Sequence, residues 1–344
     1  MVNQQRKPRG AGKLPSSLRC RFAEGENALP DPVLLVQAFA ASASTAAFVV
    51  WLLAWPWNAP HRWRSTLGYL LGMASAMAVA CRLLMVRPHW PPRVDQDRFL
   101  FVLLPSLFCV EMTAAFHMRP LLIWSLRLLL AGGVAPILLY GSVYVSDSAG
   151  PGTRRWTPYQ AVLVFFMLGL ALSTVWRLLS KLQRQTQSQV VPLAVALSCL
   201  GAAATVALSG YASIAGVGVA LAAAVTGCAL AARISRNSPD LDTAVSLSVV
   251  GLFALVVVGR YFGNLDLGHA VALLFAPLLS WLPEWSPLNR FGSTGRGVSR
   301  LVLTTVPIAV VLALAYQQFV RDSTRFAPTS SSEPSLQDYL DFGK

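Results

Sequence analysis

The sequence predicts an all-α, polytopic transmembrane bundle of about ten spans, and three observations lead there. Residues of the AVILMFWYC set fill 55% of 344 positions and charged residues only 12%, against about 25% charged in a soluble domain. Apolar residues gather into unbroken runs close to the ~20 residues that a helix needs to cross a hydrocarbon core about 30 Å thick. The runs do not alternate apolar and polar residues, as barrel strands do. A helix satisfies its own backbone groups in lipid, so helix is the remaining choice. The mean hydropathy of +0.54 also excludes a disordered chain, which is poor in apolar residues.

Residues 1–31 form a basic tail carrying Arg6, Lys7, Arg9, Lys13, Arg19 and Arg21. The first apolar run starts at Val33 and is long enough to span, unlike the 7–15-residue core of a cleavable signal. The candidate spans follow in order: 33–55, 66–86, 99–117, 120–143, 159–180, 190–209, 211–232, 244–263, 268–283 and 299–320. Only Ser209-Gly210 separates the sixth from the seventh. The ninth is short and carries Pro277 and Pro283, so it reads as a kinked or re-entrant segment. The bundle thus occupies 32–320, and 321–344, with Pro, Ser, Glu333, Asp338 and Asp341, reads as a mobile C-terminal tail. No internal repeat stands out.

Lys and Arg number 28 against 15 Asp and Glu, for a net charge of +13. In a soluble chain that excess would suggest nucleic acid. Here the cations sit mainly between apolar runs, so the expected partners are membrane lipids, with anionic headgroups at the Arg-rich loops, and no nucleic acid. The strong preference for Arg over Lys fits a GC-rich genome, hence a bacterial plasma membrane. The positive-inside rule favours an internal N-terminus only through the basic tail. Arg177, Lys181, Arg184, Arg233, Arg236, Arg290, Arg296 and Arg300 all fall on the other side. The five cysteines form no CxxC and read as packing residues.

Two spans carry small residues at every fourth position: Gly68, Gly72, Ala76 and Ala80 in one, and Gly216, Ala220, Ala224, Cys228 and Ala232 in the other. That spacing keeps them on nearly one helix face, where a neighbouring backbone can approach closely. The neighbour is a helix of the same chain or, in the sharper reading, a second copy or a membrane-complex partner. Gly132-Gly133 and Pro136 predict a kink in the fourth span.

Glu111 is the only acidic residue deep within an apolar span, and Arg127 the only basic residue comparably deep. They lie equally far from the turn at residues 117–119, and a hairpin places them at one depth, near the midplane. An isolated charge there costs a few kcal/mol or more, so an intramembrane ion pair is expected. A second group, Arg260, Asn264, Asp266 and His269, with Tyr261 beside it, is a possible interfacial polar site. The four histidines lie at span ends, which does not suit haem. The run from Gly292 to Gly297 lacks the GxxxxGK[ST] order of a phosphate loop and reads as a flexible loop. HExxH and GxSxG are absent. No catalytic residue, metal site or cofactor is expected. Two functions fit: a small-solute transporter or permease, and a non-enzymatic structural or accessory subunit of a membrane complex. An enzyme on a lipid-linked substrate would need more acidic or nucleophilic groups at one interface.

Overall fold

The computed structural model describes residues 32–54, 62–86, 88–92, 94–116, 119–142, 144–145, 156–186, 188–234, 241–284 and 293–326. The basic tail, residues 327–344, His61 and His117 lie outside the described residues. Ten helices are long and apolar enough to cross a membrane: α1 (Pro32–Ala54), α2 (Arg62–Leu83), α3 (Asp95–Ala115), α4 (Pro120–Leu139), α5 (Pro158–Thr186), α6 (Val190–Leu208), α7 (Ala212–Ile234), α8 (Asp242–Tyr261), α9 (Leu267–Glu284) and α10 (Ser293–Phe326). Among the described residues there is no strand.

The centre of the bundle is α8. Every residue from Asp242 to Gly259 is buried, so this span presents no face to lipid. Around it pack α5, α6 and α7, with α9, α4, α2 and α3 touching it less extensively. α7 is the second core helix and lies against α1, α2, α6 and α8. Its small side chains permit this. A Cβ added at Gly227 would collide with the Ala43 carbonyl oxygen of α1. One at Gly72 would lie 2.6 Å from Val50 Cγ2 and 3.2 Å from the Ala46 carbonyl oxygen. Both small-residue faces are therefore covered within the chain: Ala76, Ala80, Ala220, Ala224 and Cys228 are each 1% exposed or less.

α3 begins four residues earlier than its apolar run, at Asp95, and contains a π-helical turn at Phe99–Leu103. Pro105 accounts for this turn. Its ring nitrogen cannot donate to the carbonyl one turn back, and the register loosens just upstream, where the Leu104 N–H bonds Phe99 O. α4 continues as helix through Gly132-Gly133 and Pro136. Close packing there rests on Gly169 of α5, where a Cβ would lie 3.1 Å from Gly132 Cα. Gly210, at φ +90°, makes the tight turn between α6 and α7, a conformation that glycine adopts without steric cost.

The short ninth span runs along α10 from Gln318 to Arg300. Nine α-helical residues, Leu267–Phe275, pass into nine 3-10 residues, Ala276–Glu284. At about 1.5 and 2.0 Å per residue, these reach ~31 Å, so the more extended helix compensates for the missing residues. Asp266 accepts from Gln318 Nε2 (3.3 Å) at one end, and Glu284 pairs with Arg300 at the other. A continuous helical run of this length is able to cross. The expected loop at Gly292–Gly297 is helical from Ser293 onward, and α10 continues beyond Val320 to Phe326.

Candidate functional site

Four charged side chains meet near one end of the bundle. α3 supplies Glu111, α4 Arg127, α5 Arg184 and α8 Asp242. The arrangement begins with the helix ends. Asp242 is the first residue of α8, and a helix N-terminus favours a negative charge. Arg184 lies in the last turn of α5, where a helix favours a positive charge. α5 and α8 pack together, so the two complementary ends come into contact.

Glu111 and Arg127 form a bidentate pair. Arg127 Nε donates to Glu111 Oε1 at 3.0 Å and Nη2 to Oε2 at 2.7 Å. Both side chains are 2% exposed. Nη2 also reaches Asp242 Oδ2, at a long 3.4 Å. Arg184 holds that same oxygen much more closely, from Nη2 at 2.6 Å and Nε at 3.2 Å. With its side chain 53% exposed, Arg184 links the cluster to the surface. The formal charges cancel: two carboxylates against two guanidiniums.

Aromatic side chains complete the setting. The Arg127 guanidinium lies 5.4 Å from the Trp124 ring centroid and 5.3 Å from that of Trp176, within range of cation–π attraction. Trp176 is fully buried and donates its indole N–H to Ser246 Oγ at 2.9 Å, while the Ser246 hydroxyl lies against Glu111. Residues 176, 180 and 184 of α5 follow the four-residue spacing of one helix face, as do 242 and 246 of α8. Ser180 therefore lies between the Trp176–Ser246 and Arg184–Asp242 rungs. Among the described residues, Arg127 Nη1, Ser180 Oγ and Gln183 Oε1 are buried without a hydrogen-bond partner.

The cluster is shallower than a midplane pair. Glu111 is four residues from the end of α3, about 6 Å of rise, and Arg127 is seven residues into α4, about 10 Å. The reason is that α3 ends at Ala115, before the turn from which the sequence measures depth. Asp242 and Arg184 are absent from the sequence-derived pair because both lie just outside the apolar windows. The signal that could have found them is charge–helix-end complementarity, combined with the spacing of Trp176 from Arg184 and of Asp242 from Ser246.

The group Arg260, Asn264, Asp266 and His269 is not assembled into a site. Arg260 Nη1 donates to the Leu265 carbonyl oxygen at 3.2 Å, the Asn264 backbone N–H to Ser209 O at 3.4 Å, and Asp266 accepts from Gln318. No hydrogen bond or ion pair joins the four to one another among the described residues. Arg260, Asn264 and Asp266 are exposed, as in a solvated turn.

A second polar closure lies at the opposite end of α3, sixteen residues or about 24 Å from Glu111. Tyr211 OH donates to Asp95 Oδ1 at 2.6 Å. Asp97 accepts from the backbone N–H of His89 at 3.2 Å and of Val94 at 3.5 Å. Burial, followed by the bond to Asp95, raises the Tyr211 pKa, keeping the phenol protonated as a donor. Inward from this end, α3, α7 and α8 border a narrow crevice lined by Phe99, Val217, Leu221, Ala254 and Leu255, too tight for a water molecule. No group of three or more His, Cys, Asp or Glu side chains among the described residues has metal-binding geometry.

These helices and the ion cluster define an integral membrane protein with ten helices able to span. No family model, curated protein or solved structure matches the chain.

Proposed function

We propose that this chain is a small-solute permease of a bacterial plasma membrane, with Glu111, Arg127, Asp242 and Arg184 closing its path near one face. The observation that carries this reading is the continuous ion chain from a fully buried carboxylate to an exposed arginine. A clamp between two helices needs only the inner pair. The outer pair adds a carboxylate that can exchange partners: Asp242 holds Arg184 at 2.6 Å and Arg127 only at 3.4 Å. The buried orphan atoms of Arg127, Ser180 and Gln183 offer a polar solute both donors and acceptors. The Asp95–Tyr211 contact would close the other end. All-helical spans and an Arg-rich composition support the plasma membrane as the location.

The second reading is a non-enzymatic structural or accessory subunit. The tight apolar crevice between α3, α7 and α8 favours it. Access separates the two. Cysteine is introduced at Ser246, beside Glu111, or at Ala254, in the crevice, with the native cysteines replaced. Sealed vesicles of both orientations are then treated with a membrane-impermeant thiosulfonate. A permease admits reagent to Ser246→Cys from the Arg184 side and to Ala254→Cys from the Asp95 side. If neither thiol reacts until the protein is denatured, the permease reading fails.

A further inference from the structure

We propose that the face of α5 near Arg184, between Trp124 of α4 and Trp281 of α9, binds the headgroup phosphate of an anionic phospholipid. The evidence is independent of the permease reading and begins with one stripe on α5. Leu163, Met167, Leu170, Thr174, Arg177 and Lys181 follow one another at three- or four-residue spacing, and all are exposed. This places them along a single outward-facing row. The row is apolar at one end and cationic at the other. Even Thr174 turns its hydroxyl back to Leu170 O, at 2.8 Å, leaving its methyl group outward. From Met167 to Lys181 the rise is about 21 Å, matching half of a bilayer about 40–45 Å thick with its headgroups. The stripe therefore has the length and polarity of one phospholipid molecule.

The cationic end is flanked by two indoles. The Arg177 guanidinium lies over Trp124 of α4, 5.8 Å from its ring centroid. One turn further along, Lys181 Nζ lies over Trp281 of α9 at 5.9 Å. Trp281 is held in place by donating its indole N–H to the Leu178 carbonyl oxygen at 3.2 Å. Arg184 and Arg300, nearby in sequence or fold, have carboxylate partners. Arg177 and Lys181 have none among the described residues. Two unpaired cations one helical turn apart, flanked by indoles at headgroup depth, present donors and positive charge to a phosphate. A diacyl lipid, rather than free phosphate, is the occupant because the apolar stripe continues directly below the cations.

Native mass spectrometry of the whole protein in neutral detergent tests this, with phosphatidylglycerol and phosphatidylcholine of identical chains supplied together. Wild type should retain phosphatidylglycerol at least fivefold over phosphatidylcholine. Arg177→Gln/Lys181→Gln should lose that preference, while Arg233→Gln, an exposed cation on the same side, should keep it. An equal loss in Arg233→Gln would reduce the effect to bulk charge and overturn the site. Millimolar inorganic phosphate displacing the lipid completely would assign the site to a free anion instead and overturn the lipid assignment. The second measurement needs no charge variant. Lipid with brominated chains should quench wild-type tryptophan fluorescence more as phosphatidylglycerol than as phosphatidylcholine, and Trp281→Phe should remove most of the difference. Equal quenching by the two lipids would also overturn the proposal.

Discussion

Replacing Glu111 by Gln and Arg127 by Met, singly and together, probes the energetics of the buried ion cluster. Removing one member of a buried pair typically costs about 3–5 kcal/mol, because the remaining charge is left uncompensated. The geometry makes the two single changes unequal. In Glu111→Gln, Arg127 keeps Asp242 as a second anion, though at 3.4 Å, and the new amide can still accept one of the two bonds. The loss should fall below the usual range, at about 2–3 kcal/mol. In Arg127→Met, Asp242 retains Arg184, but Glu111 is left fully buried with only the Ser246 hydroxyl against it. That loss should reach the full ~3–5 kcal/mol. The double variant buries neither of these charges and leaves the Asp242–Arg184 pair intact. It should recover to within about 1–2 kcal/mol of wild type, so the two single losses together exceed the double loss by roughly 5 kcal/mol. The assay is unfolding in mixed micelles by added SDS, followed by far-ultraviolet circular dichroism, with monodisperse yield as a check. If Glu111→Gln is as stable as wild type, or the double variant is no better than Arg127→Met, the pair does not stabilise the fold as argued.

Gly227→Ala should lower stability by about 1–3 kcal/mol, since its Cβ meets backbone rather than a movable side chain; thermal unfolding of the purified protein in detergent measures it. Trp176→Phe should cost about 1 kcal/mol through the lost Ser246 bond, whereas Arg184→Ala, which leaves the buried Asp242 carboxylate only its 3.4 Å contact to Arg127, should cost about 2–3 kcal/mol; the same unfolding titration ranks them. Cysteines placed at Asn264 and at Glu284 should react with impermeant maleimide from opposite sides of the membrane, because α9 crosses fully; labelling of both from one side would refute the crossing.

Composition and run length determined the class of this protein. A chain with so few charges has no way to surround a soluble core, and runs near 20 residues can satisfy their backbones in lipid only as helices. Hairpin symmetry also singled out Glu111 and Arg127, because no other acidic and basic residues lie comparably deep within the runs. Sequence could not reveal that α8 is the buried centre. In lipid an apolar residue is equally suitable facing a helix or an acyl chain, so hydropathy carries no inward direction. It could not give the course of the ninth span either, because the crossing depends on 3-10 rise and not on residue count. The outer half of the ion cluster was hidden for a different reason. Asp242 and Arg184 lie beyond the apolar windows and 58 positions apart in the chain. Only the packing of α5 against α8 brings the two helix ends together and makes one network of four charges.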